Sequence, residues 1–189
     1  MNLRNLTLGA FVAITAAFPI IARADCAYST KYNLNMALGF LKDFAAYERE
    51  GGAVNDDLAA AALNNLRHEL DVTDWNDVFE CGHRAVSFYE ALGVHASLGE
   101  ARAEVHAAAG EDDPDNAKLD LSTIQMHVFD ALEDLGTAYA YGYATYNLLD
   151  YQWLKQQVKA MAVQYRMKYK SPEQGVTPKP YAGPPNQWP

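Results

Sequence analysis

Apolar residues recur at spacings of three and four along this chain, from Leu34 to about Lys170, and that period commits it to helices. After Asn33, the residues Leu34, Leu38, Leu41 and Phe44 form one stripe, which Gly51-Gly52 should stop. A second helix is expected over Asn55 to Leu70, capped by Asn55, with Asp56 and Asp57 in its first turn and Leu58, Ala62, Leu66 and Leu70 inward. A third should start near Asp71 or Thr73, turn Trp75, Val78, Phe79, Val86 and Tyr89 inward, and end at Gly93. An Ala-rich fourth, from about Ser97 to Ala109, has a thin stripe of Leu98, Ala101 and Val105 and is expected to add modestly to the core.

Gly110 to Asn116 reads as a turn, because glycine ends helices and Asp113-Pro114 breaks them. Ser122 with Gln125 fits a capping box, and Ile124, Val128, Leu132, Leu135 and Tyr139 carry the core face onward to about Lys170. Fifty residues of unbroken helix would span about 75 Å, so an interruption is expected around Asn147 to Asp150. The fold class that follows is all-α, a bundle of five or six helices over residues 25–170. Residues 171–189 differ in kind, since six of the chain's eight prolines fall there. Such a segment cannot continue a helix and suits an extended, polyproline-like tail.

The first 24 residues read as an export signal: Arg4 in a basic start, an apolar run from Leu6 to Ile21, and the small residues Ala22 and Ala24 before a cut at Asp25. A soluble periplasmic or secreted protein is expected, with no stable membrane insertion after cleavage. Removing residues 1–24 takes Arg4 and Arg23 and no acid, which moves the formal net charge from −9 to −11. That balance disfavours nucleic acid as a partner and favours a protein with a basic surface. The only two cysteines, Cys26 and Cys81, both lie in the exported part, and an oxidising compartment favours a bridge between them. It would clip the mature N-terminus onto the third helix.

Catalytic and metal motifs are missing. The chain has no GxSxG, HExxH or CxxCH. Glu80 and His83 supply half of a di-iron carboxylate pattern without the other half. Asp113 and Asp115 begin a calcium-loop pattern that Ala117, Lys118 and Ile124 break. Noncovalent haem would need Met36, Met126, His127 or Met161 to meet in suitable pairs. No cofactor or metal is implied, and scattered carboxylates do not define an enzyme.

The most unusual local run is Gly136 to Tyr146, continuing to Tyr151 and Trp153. On a helix Tyr139, Tyr143 and Tyr146 would share a face, with Ala138 and Gly142 leaving a shallow groove for close backbone approach. Tyrosine serves both bundle cores and recognition surfaces. Tyr141 and Tyr143, together with Tyr181 and Trp188 of the tail, are therefore the candidate partner-binding residues. The expected function is a non-enzymatic, exported protein-binding module: an inhibitor, immunity factor or accessory subunit. The competing expectation is a helical bundle that binds a small ligand, haem or a metal.

Overall fold

The computed structural model of the chain describes residues 26–49, 57–109, 114–142 and 151–174, with backbone alone at 48–49 and 114–119. Among these residues there are six helices and no strand: α1 (Tyr28–Arg49), α2 (Asp57–Asp71), α3 (Trp75–Glu80), α4 (His83–Ala108), α5 (Pro114–Ala140) and α6 (Tyr151–Gln164). The expected all-α class is therefore the observed one, and Cys26 is bonded to Cys81.

Helix α4 is the axis of the bundle. From Ala85 to Gly99 every residue except Tyr89 is buried, which requires the small and apolar side chains this stretch carries. Its buried hydroxyls are satisfied: Ser87 Oγ donates to Ala138 O at 3.1 Å, and Ser97 Oγ accepts from Arg67 Nη2 at 2.9 Å. The Ser87 bond joins the start of α4 to the end of α5, so these two long helices run antiparallel. Helices α1 and α2 pack Leu34, Leu38, Leu41 and Phe44 with Leu63, Leu66 and Leu70. On the other side, α6 returns along α5, with Gln125 Nε2 donating to Tyr165 O and Tyr139 stacked on Tyr151.

Several expected boundaries move. Leu58 is exposed, and Ala59, Ala62, Leu63, Leu66 and Leu70 form the inner face of α2 instead. The third and fourth expected helices are cut differently: the chain breaks at Cys81-Gly82, where Gly82 has φ 97°, and then runs through Gly93 without interruption. A positive φ suits glycine and ends α3. Gly93 is used for closeness, because a Cβ there would stand 2.5 Å from Asp134 Oδ2 on α5. The Ala-rich segment expected to contribute little is part of the central helix, since small side chains let α2 and α5 approach it.

Ser122 is not a cap. It lies inside α5, which already begins at Pro114, a residue that suits the first helical turn. Helix α5 ends at Ala140 with a turn at Tyr141-Gly142, and the interruption expected at Asn147 to Asp150 lies outside the described residues. Helix α6 ends at Gln164 rather than near Lys170. Arg166 turns left-handed with φ 58°, and Met167 N–H returns to Ala162 O at 2.8 Å, closing the last turn by a Schellman motif. The chain then folds back: Pro172 is buried, and Glu173 accepts hydrogen bonds from Tyr151 OH and Lys155 Nζ.

Candidate functional site, an aromatic surface around the disulfide

Helix α3 has only six residues, too few to persist alone, and three local devices hold it. Asp74 Oδ1 accepts from Asn76 N–H at 2.7 Å and caps its start. Cys81 closes its end and is bonded to Cys26. Beneath it, Cys26, Val78, Cys81, Ala85, Val86 and Tyr141 form a small core of their own beside the main one.

Val78 is buried, but Trp75 and Phe79 stay partly exposed, against the sequence expectation that both would be buried. They are 39% and 44% exposed and stack with ring centroids 5.4 Å apart. Phe79 and His83 in turn meet Tyr141 edge-on, at 6.3 and 5.2 Å. A second stacked pair, Tyr28 and Tyr32, begins two residues beyond Cys26 and is 83% and 52% exposed. The bridge thus places two exposed aromatic pairs, each spaced i, i+4, beside one covalent link. Acidic side chains border the α3 pair: Asp74 and Glu80 are exposed and Asp77 is half-buried.

The α3 pair is tied to the interior through polar groups. Trp75 Nε1–H donates to Glu90 Oε1 at 3.0 Å, and Glu90 is hydrogen-bonded to Asp134. Burial, reinforced for Asp134 by the Glu90 charge, raises both carboxyls, Asp134 to about 8. Tyr89, whose hydroxyl donates to Leu70 O, is pushed up to about 12 by burial and by Glu90. One helical stage further on, Arg67 grips Glu100 through both Nε and Nη2, at 2.9 and 2.6 Å, and His127 Nδ1 lies 3.2 Å from the same carboxylate. Burial alone would raise Glu100, but His127 and Arg67 outweigh it and hold the carboxyl down at about 2. The Glu100 contact raises His127.

These polar groups are chemically modest. A hydrogen-bonded Glu90–Asp134 pair is closer than the roughly 5–10 Å separation that glycoside hydrolysis uses. His95 is buried, stacked on Trp153, and driven down to about 3 by burial and by Arg102, which leaves it neutral. Glu80 and His83 fall on different helices, because the break at Gly82 separates them. Met126 is exposed while Met161 belongs to the core. Among the described residues no three His, Cys, Asp or Glu gather in a metal-holding group, and no helix is long and apolar enough to cross a membrane.

Of the four tyrosine and tryptophan candidates, only Tyr141 lies in the described residues. It is buried under Phe79 and His83 and supports the surface from below. Tyr143, Tyr181 and Trp188 lie outside the described residues. The exposed members, Tyr28, Tyr32, Trp75 and Phe79, carried a sequence signal that the apolar period concealed: two aromatic pairs at helical spacing, each a few residues from a cysteine. No protein-family model, curated protein or solved structure matches the chain.

Proposed function

We propose that the chain is an exported, non-enzymatic protein-binding module, an inhibitor, immunity factor or accessory subunit, and that its recognition face is the aromatic surface around Cys26–Cys81. The observation that carries this reading is the exposure of Tyr28, Tyr32, Trp75 and Phe79 on supports that are fixed. Exposed aromatic rings on a rigid base are the side chains that contribute most to protein interfaces, since they bury large area for little lost rotamer freedom. The acidic border and the formal charge of −9 favour a partner with a basic surface. Export to the periplasm or beyond is supported by the N-terminal signal pattern and is compatible with the bridge.

Affinity capture from periplasmic and secreted fractions, comparing the unmodified protein with Trp75→Ala and Phe79→Ala, tests the reading. A stoichiometric partner retained by the unmodified chain and lost by both variants, with their thermal unfolding little changed, is the expected outcome. Capture that both variants preserve would move the recognition face elsewhere. Absence of any stoichiometric partner would remove the function.

A further inference from the structure

Two carboxyl groups in contact beneath an exposed aromatic surface are more than packing requires. We propose that Glu90 and Asp134 form a pH-sensitive latch on that surface: the proton between them keeps Glu90 under Trp75, and its loss turns Glu90 away and frees the ring. The consequence for binding rests on the reading of this surface as the recognition face.

The geometry makes the pair and the ring one unit. Trp75 Nε1–H donates to Glu90 Oε1 at 3.0 Å, and Glu90 is hydrogen-bonded to Asp134. A hydrogen bond between two carboxyl groups needs a proton on one of them. Asp134 is the holder, because burial and the Glu90 charge push it up to about 8. Glu90 therefore accepts twice, once from the carboxylic acid of α5 and once from the indole of α3. It is buried, so water does little to screen a second charge placed beside it.

The surroundings do not compensate that second charge. Arg67 of α2 attracts Asp134, but its Nε and Nη2 already bond Glu100, and Nη2 also bonds Ser97. Asp130 of α5 repels it. Asp71 of α2 adds negative charge at the adjoining Tyr89, whose hydroxyl donates to Leu70 O. From α3 the contact is the uncharged Trp75 indole.

Two adjacent carboxylates repel, so one of them must move. Asp134 is confined against α4, where its Oδ2 fills the space that Gly93 leaves: a Cβ there would stand 2.5 Å from it. Glu90 has the longer side chain, and its neighbour Trp75 is 39% exposed on a helix of six residues. The way to water runs past Trp75. Glu90 turning outward breaks the 3.0 Å bond and leaves the Trp75–Phe79 stack without its tie to the interior. The surface is thus latched at acidic and neutral pH and released as pH rises through about 8.

Fluorine NMR of the full chain labelled with 5-fluorotryptophan reads the latch, with Trp75, Trp153 and Trp188 assigned by single Trp→Phe substitutions. Between about pH 7 and about pH 9.5 the Trp75 resonance should move by more than its linewidth, with a midpoint near 8. Trp153, stacked on His95, should stay in place. Asp134→Asn and Glu90→Gln each put an amide in place of one acid, which preserves a hydrogen bond across the pair without the shared proton. Either should remove the step from this range and leave Trp75 near its low-pH position, and one folded variant suffices. A Trp75 resonance without a step overturns the proposal, as does a step that persists in the folded amide variants. A captured partner should bind several-fold more weakly on the alkaline side of the step. If Trp75 steps as expected and partner affinity does not change, the latch stands and the recognition face lies elsewhere.

Discussion

Gly93 and Gly39 both lie inside helices, and the structure predicts that alanine has opposite effects at the two positions. At Gly93 the new methyl would meet Asp134 Oδ2 at 2.5 Å and Asp134 Cγ at 3.1 Å. Replacing glycine in a helix interior gains about 0.5–1 kcal/mol from backbone entropy and propensity. Overpacking a buried contact costs about 1–3 kcal/mol, and here the contact cannot retreat freely because Asp134 is bonded to Glu90, which Trp75 holds in turn. The packing loss wins, and Gly93→Ala should destabilise the fold by about 1–2 kcal/mol. At Gly39 nothing lies within 4 Å of the added atom, so only the gain remains and Gly39→Ala should stabilise by about 0.5–1 kcal/mol. Urea unfolding followed by far-ultraviolet circular dichroism, with the bridge intact, measures both. The double variant Gly93→Ala, Asp134→Ala should show a coupling of about 1 kcal/mol, because the second change removes what the first strikes. Equal stabilisation at the two glycines would refute the argument that Asp134 is pressed against α4.

The carboxyl pair and the Glu100 cluster give the stability profile two arms of opposite sign. Glu90 and Asp134 keep a proton that the unfolded chain releases above about pH 4, so their contribution falls as pH rises from there; Asp134→Asn should flatten that alkaline arm between pH 5 and 8 in urea midpoints. Glu100 is depressed to about 2, so its contribution is present above about pH 4.5 and is lost as pH falls toward 2. Glu100→Gln should flatten this acid arm and cost about 1–3 kcal/mol at neutral pH, because Arg67 loses its charged partner. Cys26→Ser with Cys81→Ser should lower unfolding stability by about 4 kcal/mol, the chain-entropy value for a 55-residue separation, and a loss below 1 kcal/mol would show that the terminus is held by packing instead.

Helical class and the cysteine pairing were legible because each rests on a local or compositional rule: a period of three to four, and two cysteines, the only ones in the chain, behind an N-terminal pattern that reads as an export signal. Boundaries that depend on tertiary contact were not. Gly93 reads as a stop when α5 is unseen, and becomes the point where Asp134 enters once α5 is in place. Gly82, with its positive φ, is the real stop and is flanked by Cys81 and His83, neither of which looks like a boundary. The Ala-rich stretch of α4, with its thin stripe of Leu98, Ala101 and Val105, reads as weak amphipathicity. The first half of α4, Ala85 to Gly99, has instead the composition of an enclosed segment, where small side chains permit neighbours to come close, while beyond Gly99 only Ala101 is buried. Trp75 and Phe79 were assigned inward because hydrophobicity alone does not distinguish a core residue from an exposed anchor. Val78 and Cys81 take the places in the small core beneath α3, and Trp75 and Phe79 are left at its edge.

The Cys26–Cys81 bridge makes part of that arrangement conditional on chemistry outside the bundle. Helix α3 is held at one end by a single side-chain cap and at the other by a half-cystine, and the sulfur link ties its end to the segment that leads into Tyr28 and Tyr32 at the start of α1. Without the bridge α1 is still anchored by Leu34, Leu38, Leu41 and Phe44 and α3 by Val78, but the covalent tie between the start of one and the end of the other is gone. Oxidation adds that tie, so the relative placement of the two ring pairs is fixed covalently only once the two thiols have met an oxidant.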